Sequence, residues 1–133
     1  MRLGFKTQLK TDYAVDQAIL DQIYKIIILN FKKNYSIKET KFNRKFLKFK
    51  ANEKERFDLY IINMQKVKEF NLMYEIKNTS SLVYFYNNKK VLIDSGTGDN
   101  NKLSGLISNP KKLYQITIRT LKNCSKGKNF YQM

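Results

Sequence analysis

The chain has 133 residues, 42% hydrophobic and 14% aromatic, and carries 26 Lys and Arg against 11 Asp and Glu, a formal net charge of +15. That length fits one domain with its own core, and the lack of histidine, with Cys124 as the single cysteine, excludes within these residues a disulfide framework, a Cys- or His-based zinc site and Ser-His-Asp or Cys-His catalysis. The excess of cations points to a polyanionic partner, nucleic acid before an anionic membrane surface.

Residues 3–9 alternate, with Leu3, Phe5, Thr7 and Leu9 on one face, which predicts a strand. Val15, Ala18, Ile19, Ile23 and Ile26, with a second stripe of Leu20, Tyr24, Ile27 and Phe31, predict a helix from about 12 to 33. Thr11 or Asp12 can cap its start; Asp16 and Asp21 lie early and Lys32 and Lys33 late, as the helix dipole prefers. The longest aliphatic run, Ile26-Ile27-Ile28-Leu29, falls far short of the ~18 residues of a spanning helix, and the N-terminus lacks a signal-peptide core. A soluble protein with no membrane partner is expected.

Residues 36–50 form a basic stretch that reads as a loop feeding a strand, with Asn52 and Glu53 as a tight turn. Phe57, Leu59 and Ile61 then alternate as the partner strand, and 70–77 and 82–94 predict further strands or hairpins. Turn signals fall at Asn78–Ser81, Asn87–Lys90 and Ser95–Asn101. A short helix over about 101–108 is ended by Asn109-Pro110. Tyr114, Ile116 and Ile118 read as a last strand, and the tail from Asn123 as basic and irregular.

The arm at 38–56 holds Lys38, Lys41, Arg44, Lys45, Lys48, Lys50, Lys54 and Arg56, with Phe42, Phe46 and Phe49 interleaved. With Arg119, Lys122, Lys126 and Lys128 these are the candidate nucleic-acid-binding residues, since such cations neutralise phosphates and release counterions while aromatics stack or anchor. The plainer alternative is a solvated hairpin edge guarded by lysines. Ser95–Gly98 is too short for a phosphate-binding loop and reads as a turn.

Asp58 on one strand, followed by Glu75-Ile76-Lys77 on the next, resembles the signature of the PD-(D/E)XK nucleases, with Phe57 where the pattern has proline. That resemblance implies carboxylates on a divalent metal and a lysine that helps activate water, with Asp16 or Asp21 as an extra acid. Glu-x-Lys on the wet face of a strand is the plainer alternative.

The element order, set aside an inserted hairpin at 66–98, is that of an α+β, ferredoxin-like split βαβ sheet with one long and one short helix packed on one face. It gives a single RNA-binding domain over 1–122 and a basic tail over 123–133. With Leu9-Lys10 closing the first strand, Leu20-Asp21-Gln22 and Lys25-Ile26 in the helix, and Glu55-Arg56-Phe57-Asp58 opening the return strand, the chain resembles the small-subunit ribosomal protein ten family. The family's Pro-rich loop tip and Arg-Ser-Pro-His segment are absent; Ser36–Asn43 and Lys50-Ala51-Asn52 stand in their places. The resemblance implies a structural constituent of the small-subunit head that binds ribosomal RNA and neighbouring ribosomal proteins. It further implies no catalysis, cofactor, metal or homo-oligomer, and a place in the mitochondrial matrix or, alternatively, the cytoplasm. The alternatives are the metal-dependent nuclease and a stand-alone nucleic-acid-binding protein of viral or plasmid origin.

Overall fold

A computed structural model of the chain describes residues 9, 11–21, 24–32, 44–46, 48, 57–63, 67–73, 81–94 and 109–132. In chain order these give α1 (Asp12–Asp21), β1 (Ile26–Lys32), β2 (Phe57–Asn63), α2 (Lys68–Met73), β3 (Ser81–Tyr86), β4 (Lys89–Asp94), α3 (Pro110–Ser125) and β5 (Phe130–Gln132). Residues 44–46 and 48, between β1 and β2, are also helical.

The strands form one five-stranded sheet in the order β2-β1-β3-β4-β5. β1 runs parallel to β2 and antiparallel to β3, β3 antiparallel to β4, and β4 parallel to β5. Leu9 adds a parallel bridge to Ile62 beyond β2, its N–H donating to the Ile61 carbonyl at 2.8 Å. The parallel strands β1 and β2 are direct neighbours. A split βαβ unit places another strand between its parallel pair, so the ferredoxin-like arrangement is not the one adopted.

Side chains alternate across a strand, and both faces of this sheet are covered. Ile26, Ile28, Phe57, Leu59, Ile61, Tyr84, Val91 and Ile93 point to the face under α3, together with Phe46. Ile27, Leu29, Phe31, Tyr60, Ile62, Val83 and Phe85 point to the other, where Val15, Ala18 and Ile19 of α1 and Phe70 of α2 cover them. The helices therefore lie on both faces, not on one as expected. This burial explains why the 12–33 helix is not continuous. Ile26–Phe31 is buried on every side, and a β-branched run with two covered faces is a central strand, whereas an exposed helix would leave one stripe wet. The apolar spacing of that run fits helix and buried strand alike, and the flanking elements decide between them.

Three further expectations change. Residues 70–73 of the presumed strand over 70–77 belong to α2, whose Phe70 N–H is accepted by the Asp12 carboxylate at 3.3 Å, tying α2 to the start of α1. The presumed last strand at Tyr114–Ile118 lies inside α3, because Pro110 starts a helix at N1 and does not end one there. The tail is ordered: Lys128 N–H reaches the Asn123 carbonyl and Gly127 N–H that of Cys124, a Schellman closure with Gly127 at φ 87, before β5. The segment read as an inserted hairpin supplies α2, β3 and β4, with β3 inside the sheet between β1 and β4. Asn87 and Asn88, both at positive φ, make the two-residue turn from β3 to β4. The rest of strand 3–9, helix 101–108 and the 52–53 turn lie outside the described residues.

Candidate nucleic-acid interface

Helix α3 presents two chemically opposed faces. Asn109 caps it: its side-chain oxygen accepts the Lys111 and Lys112 N–H groups at 3.0 and 3.3 Å. Leu113, Ile116, Thr117, Thr120, Leu121 and Cys124, three and four apart, are buried against the sheet. Two hydroxyls in that stripe would each be a buried polar cost. Thr117 Oγ1 bonds the Leu113 carbonyl at 2.9 Å and the Tyr84 hydroxyl at 2.8 Å, and Thr120 Oγ1 bonds the Ile116 carbonyl at 2.7 Å. Burial pushes the Tyr84 phenol well above its ordinary range, so it stays a neutral hydrogen-bonding partner.

The outward face carries Lys111, Lys112, Gln115, Arg119 and Lys122, continued by Lys126 at the C-cap and Lys128, all exposed. The helix holds no Asp or Glu. Only Lys122 and Lys126, at the negative end of its dipole, serve the helix itself. Lys111 and Lys112 sit at the positive end of its dipole, and Lys122 has Arg119 at i−3 and Lys126 at i+4, so each like pair costs a few tenths of a kcal/mol. The rest of the ridge gains the helix nothing and is free to meet an anionic surface.

The helical residues at 44–46 and 48 join the same layer. Phe46 is buried against Phe57 with ring centroids 5.2 Å apart, and Phe57 meets the Tyr114 ring of α3 edge-on at 6.4 Å. Arg44, Lys45 and Lys48 around it are exposed. The fold thus brings seven of the expected site residues into one layer: Arg44, Lys45, Lys48, Arg119, Lys122, Lys126 and Lys128. Lys38, Lys41, Lys50, Lys54 and Arg56 lie outside the described residues. Where 36–50 reads as a loop feeding a strand, the described residues 44–46 and 48 are helical, and buried Phe46 is an anchor for the cations around it, not available for stacking on bases. Lys111 and Lys112 escaped notice; the Asn-Pro pair before them was the signal, once read as a helix start.

The opposite layer is different. It carries Asp12, Asp16 and Glu69 of α1 and α2, with Lys68 as the sole exposed cation among the described residues there, beside half-buried Lys25 and Lys90 and exposed Tyr13, Leu20, Leu72 and Met73. Among the described residues the exposed cations are therefore concentrated on the α3 side.

Among the described residues no metal-dependent centre forms around Asp58. It is buried on the α1 side of the sheet and pairs with Lys25 Nζ at 3.5 Å, while Glu75 and Lys77 lie outside the described residues. Among the described residues no three His, Cys, Asp or Glu side chains could hold an ion. Cys124 is buried on the sheet-facing side of α3, and burial pushes its thiol up to about 11, far from a reactive thiolate. No helix among the described residues is long and apolar enough to cross a membrane.

A family model described as "Mitosis protein DIM1" matches residues 5–133. The chain belongs to the DIM1 family. The mitosis protein dim1 of Schizosaccharomyces pombe is 27% identical over 124 residues, covering 93% of this chain and 87% of that protein. The spliceosomal protein DIB1 of Saccharomyces cerevisiae is 27% identical over 122 residues, covering 91% and 85%. In three dimensions this DIM1-family chain superposes on thioredoxins: that of Halobacterium salinarum with a TM-score of 0.65 at 12% identity, over 90% of this chain and 93% of the other. The Fasciola hepatica thioredoxin gives 0.63 at 17%, over 86% and 98%. The fold is thioredoxin-like. Thioredoxins work through a Cys-x-x-Cys pair, and this DIM1-family sequence has one cysteine.

Membership in the DIM1 family overturns the ribosomal-protein-ten resemblance. The small-subunit role, the ribosomal RNA and protein partners and the mitochondrial matrix fall with it. The nuclease alternative falls as well. The residues that carried the ribosomal resemblance do not share one helix: α1 ends at Asp21, and Ile26 opens a strand.

Proposed function

We propose that this DIM1-family chain acts in the nucleus as a non-enzymatic protein of the spliceosome, with its α3 layer lying against RNA phosphates. Several curated relatives, from S. cerevisiae, Candida glabrata and Eremothecium gossypii, are named as the spliceosomal protein DIB1, which supports the assembly. The observation that carries the RNA contact is the acid-free ridge of α3 flanked by Arg44, Lys45 and Lys48, set opposite a layer that carries Asp12, Asp16 and Glu69. Such a surface neutralises phosphates without reading bases, which fixes position and leaves sequence to other parts of an assembly. A non-enzymatic role fits a buried, lone thiol on a fold whose redox members need two.

The test is to purify the tagged chain from nuclear extract and sequence the RNA that stays bound. Enrichment of spliceosomal small nuclear RNAs and unspliced transcripts, reduced when Arg119, Lys122 and Lys126 are changed to Gln, is the expected result. Bound RNA no richer in spliceosomal species than the extract would overturn the assignment.

A further inference from the structure

Tyr24 is an exposed aromatic that the phosphate ridge leaves unused. It stands between α1 and β1, 68% exposed, with φ 62. A bulky side chain in the left-handed region needs a hold, and Tyr24 has one: its N–H donates to Asn87 Oδ1 at 2.7 Å. Asn87 is itself fixed in the β3–β4 turn.

This is also the end of the sheet where α3 finishes. Tyr86 lies close to both Tyr24 and Cys124; burial raises its phenol pKa most, and the charges of Cys124 and Tyr24 raise it further. Lys89 follows the turn opposite Tyr86, and Lys126 follows Cys124 at the C-cap; both are exposed. The arrangement joins an exposed ring on a fixed backbone to the end of a cationic ridge about 22 Å long, the axial span from Lys111 to Lys126. Tyr13 is as exposed but lies between Asp12 and Asp16, where phosphate is repelled.

We propose that Tyr24, with the Asn87–Asn88 turn, Lys89 and Lys126 beside it, is a stacking site for one unpaired base of a single-stranded RNA whose phosphates follow α3. The proposal rests on the RNA contact given under the function above. A ring face accepts any base, so the site selects single strands over duplexes and carries little sequence preference. The exposed Asn88 adds an amide within reach of the base edge.

Anisotropy titrations decide it, using the full chain, a labelled uridine oligonucleotide of about 12 nucleotides and the same ribose-phosphate backbone without bases. Tyr24→Ala should weaken uridine binding about 5- to 150-fold, Tyr24→Phe should bind within about twofold of the parent, and the abasic strand should bind parent and Tyr24→Ala alike. The proposal is overturned if Tyr24→Ala binds uridine as well as the parent does, or if it loses as much affinity for the abasic strand. If the parent shows no salt-dependent binding to either strand, the RNA contact itself fails and the stacking site with it.

Discussion

Neutralising the α3 ridge offers the sharpest quantitative check on the phosphate contact. The triple change Arg119→Gln, Lys122→Gln, Lys126→Gln removes three exposed cations from one stripe and leaves the buried face untouched. On single-stranded RNA each phosphate contact contributes about 0.7 to the slope of log Kobs against log salt. Losing three should flatten the slope by about 2, so that a fourfold rise in salt costs the variant about 20-fold less affinity than it costs the parent. Stability should move by less than about 1 kcal/mol, since lost dipole interactions at Lys122 and Lys126 are offset by relief of the Arg119–Lys122 and Lys122–Lys126 repulsions. The assay is anisotropy against a uridine oligonucleotide at several salt concentrations, with Lys68→Gln on the opposite layer as the control. An unchanged slope in the triple variant, or an equal change in the control, would refute the assignment of phosphate binding to this helix.

Three other outcomes follow from the same geometry. Asn109→Ala removes the cap that serves Lys111 and Lys112 and should cost about 0.5–2 kcal/mol, read as a lowered midpoint in urea with an unchanged m-value. Tyr84→Phe deletes the buried hydroxyl pair with Thr117, whose Oγ1 keeps its bond to the Leu113 carbonyl; a loss of about 0.5–1.5 kcal/mol is expected in the same titration. Cys124, with its thiol pushed up to about 11, should be nearly inert to a thiol reagent at pH 8 and react fully once unfolded. Because the folded state raises this pKa, the contribution of Cys124 is complete below the unfolded value of about 8.5 and is lost as pH climbs toward about 11; a Cys124→Ala variant should lack that part of the alkaline loss.

Part of this architecture was legible from side-chain pattern alone. Alternation at Phe57–Ile61, the two short strands around Asn87–Asn88 and the Thr11 start of α1 each depend on local chemistry, and each appears where that chemistry placed it. The failures share a cause. Ile26–Leu29 satisfies a helical stripe and a doubly covered strand equally, and only the sheet neighbours β2 and β3 break the tie. Pro110 belongs to whichever side supplies a cap; Asn109 supplied it to the helix that follows. The three residues of β5 form a strand because β4 offers an open edge, a condition invisible in Phe130–Gln132. The cations were visible as a total and as a run at 38–56, but their gathering on one layer was not. It required knowing that 110–125 is helical and that Phe46 packs on the same side of the sheet.

Ultraviolet crosslinking of the chain in its native assembly, with the attachment sites read by mass spectrometry, probes the segregation of charge most directly. RNA adducts concentrated at residues 44–48 and 110–128, and absent from α1 and α2, are the expected result. Adducts centred on 12–21 or 68–73, with the α3 ridge unmarked, would contradict it.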